Sequence, residues 1–245
     1  MTSVALVGID GAGKSTVASL LADRLGLPAR VVYMGVNVET STLMLPTTRL
    51  AVWLKRRRGG RPDLVANFNR PIDPGDTRGA RGAVSRTAGS AVRLGAWIAE
   101  EWFRQSVALW HQARGRLVIF DRHFTCDYYA ADVAPPVAGR SLASRFHGFI
   151  LDRVYPRPDL VICLDGAPAA LLSRKDEISS EATAGLEARR RDYLRLAEVM
   201  PRFAVVDASR PIDDVVASAA THVSEFLAAR RRVAREEATQ REHAR

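Results

Sequence analysis

The sequence predicts an α/β protein whose sheet is all-parallel and covered by helices on both faces. Apolar runs typical of buried strands occur at five places, residues 4–7, 30–34, 117–120, 160–164 and 203–206. Segments with helical periodicity separate these runs, and this alternation favours parallel strands joined by helical crossovers. In such a sheet, ligands bind at the carboxyl ends of the strands.

A glycine-rich loop follows the first predicted strand and precedes a helix. Residues 8 to 16 read Gly-Ile-Asp-Gly-Ala-Gly-Lys-Ser-Thr and match the phosphate-loop pattern G-x-x-x-x-G-K-[ST]. Glycine lets the backbone turn successive N–H groups toward phosphate oxygens, and the helix N-terminus adds positive partial charge. We expect Lys14 to reach the β- and γ-phosphates and the Ser15 hydroxyl to ligate Mg²⁺. The predicted nucleotide site consists of Gly8, Asp10, Gly11, Ala12, Gly13, Lys14, Ser15 and Thr16.

Composition and charge narrow the class of protein. No apolar run approaches the roughly 18 residues of a membrane span, and a strand begins without a preceding signal peptide. We therefore expect a cytoplasmic protein with no membrane partner. Cys126 and Cys163 are too few for a disulfide framework. Much of the formal charge of +9 comes from residues 55–61 and from arginines beginning at Arg230, which we interpret as solvated basic segments. A nucleic-acid partner is not favoured.

The intervening segments differ in character. Residues 55 to 85 are predicted to form a mobile insertion or loop, because glycine and proline interrupt the pattern. A long helix follows, with an apolar stripe typical of a core face, namely Val92, Ala96, Ala99, Phe103, Val107 and Trp110. The opposite stripe is predicted to be a solvent face or the wall of a pocket, and it contains Arg93, Trp97, Glu100, Arg104 and His111. The predicted phosphate-loop domain spans residues 1–229, before a basic tail at 230–245.

Four motifs in this order resemble the thymidylate kinase family of phosphate-loop nucleoside monophosphate kinases. They are the phosphate loop with Asp10 inside it, Asp121-Arg122-His123, Leu164-Asp165-Gly166-Ala167-Pro168, and Val206-Asp207-Ala208-Ser209-Arg210-Pro211. The resemblance implies a three-layer α/β/α phosphate-loop fold with strand order 2-3-1-4-5. It also implies ATP on the loop, a monophosphorylated acceptor with dTMP as the leading candidate, and a homodimer. The apolar stripe of the long helix could serve that dimer, although an ordinary core face explains it as well.

The chemistry of phosphoryl transfer assigns roles to several residues. Positive groups and a metal must converge between donor and acceptor, and Lys14, Mg²⁺ on Ser15, Arg122 and a lid arginine would supply them. Asp121 is expected to hold a water of the Mg²⁺ shell or to steer the acceptor, with a helix cap as the alternative. Arg122 resembles the arginine of the family that contacts the acceptor and transferred phosphates. Asp10 resembles a carboxylate near the acceptor sugar, or it stabilises the turn.

The remaining roles concern the lid and the adenine. The lid is predicted at about residues 174 to 190, with Arg174 as the first choice for the phosphate contact and Arg190 as the second. A solvated helical charge face is the alternative. Ser209 and Arg210 resemble the loop that passes the adenine. His123 is expected to serve orientation or packing, because phosphoryl transfer asks little of a general base.

Two departures from the family concern the acceptor. Residues 34 to 40 replace an Arg-Glu-Pro-Gly-Gly-Thr-like motif, and Glu100 stands where the family has an arginine for the acceptor phosphate. A carboxylate would repel a phosphate, so either Arg93 or Arg104 serves instead or the acceptor is not dTMP. Glu100 and Arg104 could equally form an i,i+4 surface pair. The alternatives are a kinase of the same fold acting on a nucleoside, sugar or other small metabolite, and a non-catalytic nucleotide-dependent binding module.

Overall fold

A single parallel sheet forms the centre of the protein. The computed structural model describes residues 2–35, 43–57, 80–136, 138–172 and 180–243. Five strands lie in the order β2-β3-β1-β4-β5, and every neighbouring pair is parallel. The α/β class and the expected strand order are therefore confirmed. The strands are β1 (Thr2–Val7), β2 (Ala29–Tyr33), β3 (Leu117–Asp121), β4 (Leu160–Asp165) and β5 (Phe203–Asp207).

Helices occupy the connections between the strands. They are α1 (Lys14–Arg24), α2 (Pro46–Arg57), α3 (Ala80–Ala113), α4 (Phe124–Tyr128), α5 (Leu142–Arg153), α6 (Pro168–Leu172), α7 (Ser180–Arg195) and α8 (Ile212–His243). A π-helical turn (Tyr129–Val133) continues α4, and a 3₁₀ turn (Leu196–Glu198) continues α7. Across the described part of the chain, no helix has both the length and the apolar character needed to cross a bilayer.

The strand order determines which face of the sheet each helix covers. The connection from β1 to β2 runs in one direction across the sheet, and the later connections run in the other. Because crossovers between parallel strands are right-handed, α1 lies on one face and α3, α5 and α7 lie on the other. Helix α8 packs against α1 and completes the first face. The result is a three-layer α/β/α fold.

The central strands supply most of the core. Leu6, Ile119 and Ile162 lie on β1, β3 and β4, and each is completely buried because helices cover both faces of the sheet. Burying such a side chain contributes about 1.5–3 kcal/mol. Leu6 is paired with Asp121 on one side and with Ile162 on the other. The residues that follow β1 and β3 therefore emerge side by side at one edge of the sheet.

The prediction that the apolar stripe of α3 forms its core face is wrong. Trp110 is 48% exposed and Ala96 and Ala99 are also exposed, whereas Arg104 is completely buried. The buried face carries mostly polar side chains, namely Glu100, Glu101, Arg104, Gln105, His111 and Gln112, together with Trp97 and Ala108. The physical reason is that several of these charged groups find partners inside the protein, so that the polar stripe can be buried. A solvent face is excluded for the described members of the predicted polar stripe, Trp97, Glu100, Arg104 and His111.

Parts of the predicted basic tail and of the predicted insertion are helical in the structure. Residues 230–243, predicted as a basic tail, continue α8, and the Arg230 guanidinium contacts the Asp159 carboxylate at 2.7 Å. Residues 55–57 end α2 and residues 80–85 begin α3. The rest of the predicted insertion at 55–85 lies outside the described residues. Arg174 and the predicted lid up to residue 179 also lie outside them.

Candidate functional site

The phosphate loop connects β1 directly to α1. Gly8, Gly11 and Gly13 have φ angles of 143°, 92° and 79°, which side-chain-bearing residues rarely adopt. A Cβ on Gly8 would also collide with the backbone of Leu164 at the end of β4. Glycine is therefore required both for the turn and for the close approach to β4. Helix α1 begins at Lys14, so its N-terminus points into the loop, as an anion-binding site requires.

The Lys14 ammonium lies inside this loop. Its Nζ donates to the carbonyls of Gly8 and Ile9 at 2.8 Å and 2.7 Å, and it lies 3.9 Å from the Asp10 carboxylate. The side chain is almost completely buried. Burial, followed by the charge of Arg122, lowers the pKa of Lys14 to about 8. The loop thus holds a desolvated cation at the N-terminus of α1.

Arg122 joins the end of β3 to the phosphate loop. Its Nη2 donates to Asp10 Oδ1 at 2.6 Å, and its backbone N–H donates to the carbonyl of Leu6 at 3.1 Å. Arg122 has a φ of 69°, a left-handed conformation that is uncommon outside glycine and often found at functional sites. Burial alone would raise the pKa of Asp10, but the Arg122 hydrogen bond and the surrounding cations hold it below its usual value. Asp10 therefore stays ionised between two cations.

Asp121 ends β3 close to this group. Its side chain is buried, and Oδ1 has no hydrogen-bond partner among the described residues. Lys14 is within its electrostatic reach. The alternative role as a helix cap belongs instead to His123, whose Nδ1 accepts from the Thr125 N–H at 3.3 Å at the start of α4. Burial lowers the pKa of His123 to about 3, so this imidazole is neutral and suited to packing.

The oxygen donors of this edge fit a magnesium ion. Mg²⁺ prefers hydroxyl, carboxylate and water oxygens and is usually bound through one or two protein groups plus the phosphates of a nucleotide. The Ser15 hydroxyl is exposed at the start of α1, and Asp121 offers a buried carboxylate oxygen with no described partner. In the described ranges, no group of three or more His, Cys, Asp or Glu side chains could hold a metal by itself. The donor set therefore suits a metal shared with phosphates.

Arg190 binds a carboxylate at the end of β4. Its Nε and Nη2 donate to the two oxygens of Asp165 at 2.6 Å and 2.8 Å, and its Nη1 donates to Glu187 at 3.2 Å. This two-pronged contact anchors α7 to the sheet. It engages the guanidinium that was predicted to contact the nucleotide phosphates.

Sequence reasoning overlooked a second contact of α7 with the site. The hydroxyl of Tyr193 donates to Asp127 Oδ1 at 2.8 Å, and Asp127 lies on α4 just beyond Asp121 and Arg122. Burial raises the pKa of Asp127, although Arg122, Tyr193, Arg189 and Lys14 oppose that rise. Arg189 was passed over in favour of Arg190. The signal that could have found these residues is the i,i+4 spacing of Arg189 and Tyr193 on one helix face.

The loop after β5 is compact and exposed. The backbone N–H and hydroxyl of Ser209 donate to Asp207 Oδ1 at 2.9 Å and 2.5 Å, and Arg210 contacts Asp214 at 3.1 Å. The N–H of Ala208 donates to the Asp165 carbonyl at 2.6 Å. These contacts place the loop at the carboxyl end of the sheet, on the β4 side of the phosphate loop. The predicted adenine contact there stays a prediction.

Glu100 and Arg104 form a buried pair and not a surface pair. Arg104 donates from Nε and Nη2 to Glu100 Oε1, both at 3.3 Å, and from Nη1 to the Gly35 carbonyl at 3.0 Å. Glu100 Oε2 accepts from the Leu45 N–H at 3.0 Å. Glu100 is therefore neutralised inside the protein and tied to the start of α2. The side chain of Arg93, the other candidate for a phosphate contact, lies outside the described set.

The arrangement as a whole places two cations, Lys14 and Arg122, around the Asp10 carboxylate at the N-terminus of α1. No protein-family model matches the chain. The resemblance to thymidylate kinases therefore rests on the four motifs, and any function must be argued from the site. Of the predicted residues, Asp10, Lys14, Asp121 and Arg122 lie together, whereas Arg190 lies at the end of β4 and is bound to Asp165.

Proposed function

We propose that this protein is an ATP- and Mg²⁺-dependent phosphotransferase that moves the γ-phosphate to a small acceptor. The supporting observation is the convergence of Lys14 and Arg122 on Asp10, where β1 and β3 end side by side. Phosphoryl transfer needs positive charge around the transferred group and little covalent participation by the protein. A buried lysine and a fixed arginine at one helix N-terminus fit that requirement.

Each residue has a distinct proposed task. Lys14 binds oxygens of the β- and γ-phosphates, and Arg122 neutralises charge on the transferred and acceptor groups. Asp10 orients both cations through its contacts at 3.9 Å and 2.6 Å. Ser15 and Asp121 would hold Mg²⁺, which supplies charge neutralisation on the phosphates when bound. Arg174, Arg190, Ser209 and Arg210 remain proposed nucleotide contacts.

The leading acceptor is a nucleoside monophosphate, with dTMP first, and the motif resemblance supports it. The Glu100 carboxylate would not repel the acceptor phosphate as an unpaired charge, because Arg104 pairs with it. The second candidate is a kinase of the same fold whose acceptor is a nucleoside, a sugar or another small metabolite. It is favoured by the engagement of Arg104 with Glu100 and Gly35, which leaves that arginine occupied.

The test is an acceptor panel scored by ADP formation with ATP and Mg²⁺. We expect ADP production that depends on dTMP, and a decrease of at least about 100-fold in Lys14→Ala and Asp121→Ala. Arg191→Ala, an exposed neighbour on α7, is the matched control and should retain activity. A response to unphosphorylated acceptors only would select the second candidate. Nucleotide binding without turnover of any acceptor would favour a binding module.

We propose further that the protein is a homodimer formed through the exposed apolar face of α3. Trp110 is 48% exposed and Ala99 is exposed on the same side of the helix. Apolar surface of this kind marks association sites when it is continuous. Light scattering over a concentration series should give twice the chain mass of 26.9 kDa. Ala99→Glu should restore the monomer, and a monomer at all concentrations would contradict the proposal.

We place the protein in the cytoplasm, where ATP is available as the donor. Cys126 and Cys163 are both unpaired and buried, which fits a reducing compartment. Thiol titration of freshly prepared native and denatured protein should give no reactive thiol and two reactive thiols, respectively.

A further inference from the structure

Gly35, just beyond the end of β2, packs directly against Arg122. Tyr33, the last residue of β2, is paired with Asp121, and the Met34 N–H donates to the Asp121 carbonyl at 3.0 Å. A Cβ on Gly35 would collide with Cδ of Arg122 and with the hydroxyl of Tyr33. The φ angle of Gly35 lies outside the left-handed region, so the backbone alone does not require glycine there. The close approach of Arg122 is therefore what excludes a side chain at this position.

A buried ion pair on α3 holds the backbone of Gly35. Arg104 Nη1 donates to the Gly35 carbonyl at 3.0 Å, and its Nε and Nη2 donate to Glu100 Oε1. Glu100 Oε2 accepts from the Leu45 N–H, just before α2. The side chains of Arg104 and Glu100 are only 1% and 4% exposed. The guanidinium that holds Gly35 is thus itself held in place inside the protein.

These contacts form a continuous path from α3 to the phosphate loop. Arg104 holds Gly35, Gly35 packs against the aliphatic stem of Arg122, and the Arg122 guanidinium donates to Asp10 Oδ1 at 2.6 Å. The Arg122 side chain is partly exposed, so its position depends on what packs against its stem. A long side chain that is already packed has less conformational freedom left to lose when it binds a ligand.

We propose that Gly35, Glu100 and Arg104 are positioning residues that hold Arg122 at the phosphate loop for phosphoryl transfer. This inference rests on the proposed function, in which Arg122 neutralises charge on the transferred group. A guanidinium that is fixed before the reaction needs no reorganisation as that charge develops. The three residues act through Arg122 and contact no substrate themselves, so their loss lowers the rate of transfer more than the binding of ATP.

The first test measures initial rates of ADP formation with Mg·ATP and dTMP, or with the acceptor that the panel identifies in its place. Gly35→Ala adds one methyl group at the contact with Arg122. It should lower kcat at least about tenfold and change the KM for ATP less than about twofold. Gly95→Ala adds the same group on α3, where nothing outside its own helix lies within 4 Å. This matched control should retain the kcat of the wild type.

A second variant approaches Arg122 from α3. Arg104→Met combined with Glu100→Leu removes the hydrogen bond to the Gly35 carbonyl, and an apolar pair replaces the buried ion pair, so the protein stays folded. Its kcat should fall at least about threefold. Phe226→Ala is the control for lost stability, because this buried side chain belongs to α8 on the other face of the sheet. It should keep the kcat of the wild type at a temperature at which it is folded.

Double-variant cycles decide whether these residues act through Arg122. In an Arg122→Ala background, neither Gly35→Ala nor the paired change on α3 should lower kcat further. A stability cycle requires no acceptor. Gly35→Ala should lower the urea midpoint less in the Arg122→Ala background than in the wild type, because the added methyl group no longer meets the Arg122 stem.

The outcomes separate this inference from the proposed function. An unchanged kcat in folded Gly35→Ala, or a further loss in the Arg122→Ala background, overturns the inference and leaves the proposed function standing. Equal urea losses in the two backgrounds overturn the contact between Gly35 and Arg122. If the wild type turns over no acceptor, the proposed function and the role in transfer both fail, whereas the urea cycle still decides whether Gly35 packs against Arg122.

Discussion

Lys14 and His147 are both buried cations, and their surroundings shift their pKa values in opposite directions. Burial lowers the pKa of Lys14 to about 8, although Asp10 lies nearby. Burial would also lower the pKa of His147, but hydrogen bonds to Asp132 and Glu101 raise it to about 9. One site therefore holds a charge that destabilises the fold, and the other holds a charge that stabilises it.

The geometry explains this difference. Both nitrogens of His147 meet carboxylates, with Nδ1 at 2.7 Å from Asp132 and Nε2 at 3.2 Å from Glu101. Ser144 donates to the same Asp132 carboxylate, so α3, α5 and the π-helical turn are joined around one imidazolium. Lys14 instead meets two neutral carbonyls and one more distant carboxylate. The charge of His147 is matched by two carboxylates, whereas the charge of Lys14 faces a single carboxylate at 3.9 Å, as the proposed binding of phosphate requires.

The largest effect should come from breaking the buried ion pair between Glu100 and Arg104 on α3. Arg104→Met leaves the Glu100 carboxylate buried without its partner, and we expect a loss of about 3–5 kcal/mol in the free energy of unfolding. Urea denaturation at pH 7 measures it. Adding Glu100→Leu should recover much of the loss, since an apolar pair replaces a buried ion pair. A loss in the single variant below about 1 kcal/mol would show that the pair is not buried as described.

The second prediction concerns the pH dependence of the His147 cluster. Because the folded-state pKa of about 9 exceeds the unfolded value of about 6.5, the stabilisation is full at low pH and is lost as pH rises toward 9. Between pH 5.5 and 8 the wild type should therefore lose about 2 kcal/mol relative to His147→Gln. Denaturant midpoints at several pH values test this, and parallel curves for the two proteins would contradict it.

The third prediction has the opposite sign and concerns Lys14. Its folded-state pKa of about 8 lies below the unfolded value, so the destabilisation is full at pH 7 and disappears as pH rises toward 10.5. Lys14→Met should raise the free energy of unfolding at pH 7 by about 1–2 kcal/mol and bring nucleotide binding close to zero. Unfolding curves at pH 7 and pH 10 measure the gain and its disappearance. If Lys14→Met were less stable than the wild type at pH 7, the Lys14 charge would not destabilise the fold, and its contrast with His147 would be refuted.

The smallest effect is expected at an exposed ion pair, which serves as the control for Arg104→Met. Arg230 contacts Asp159 at 2.7 Å, but both side chains are at least 30% exposed. Arg230→Met should change the free energy of unfolding by less than about 1 kcal/mol, because solvent screens the pair. The two arginine-to-methionine changes remove the same chemical group and differ in burial. Equal effects in the same denaturation assay would refute burial as the cause.

Some of this organisation could be predicted from local sequence. The strand order was expected through the resemblance of short motifs, and the apolar runs marked every strand of the described sheet. The phosphate loop was predictable because Gly8, Gly11 and Gly13 are needed for their own backbone angles. These features depend on residues close together in the chain. Asp121 and Arg122 were found in the same way, as the residues that end an apolar strand.

The face of α3 could not be predicted in that way. Helical periodicity shows that two stripes exist, but it does not show which of them meets the sheet. Glu101 can be buried because His147, 46 positions away, supplies the partner. Arg104 can be buried because the Gly35 carbonyl, 69 positions away, accepts its hydrogen bond. Partners this distant become visible only after folding.

The arginines of α7 are a second case in which local sequence did not determine which side chain is paired. Arg189, Arg190 and Arg191 are chemically identical and consecutive, so composition and spacing could not separate them. The structure distinguishes Arg190, because Asp165 binds its guanidinium at the end of β4, whereas Arg189 and Arg191 are exposed.

The sequence by itself determined the class of fold, the phosphate loop and the strand-end residues that face it, because these depend on backbone conformation and short-range order. Only the tertiary structure decided which charges are paired, which stripe of α3 is buried and which arginine of α7 is bound at the end of β4. The physical reason is that a buried charge requires a partner, and here most partners come from distant parts of the chain.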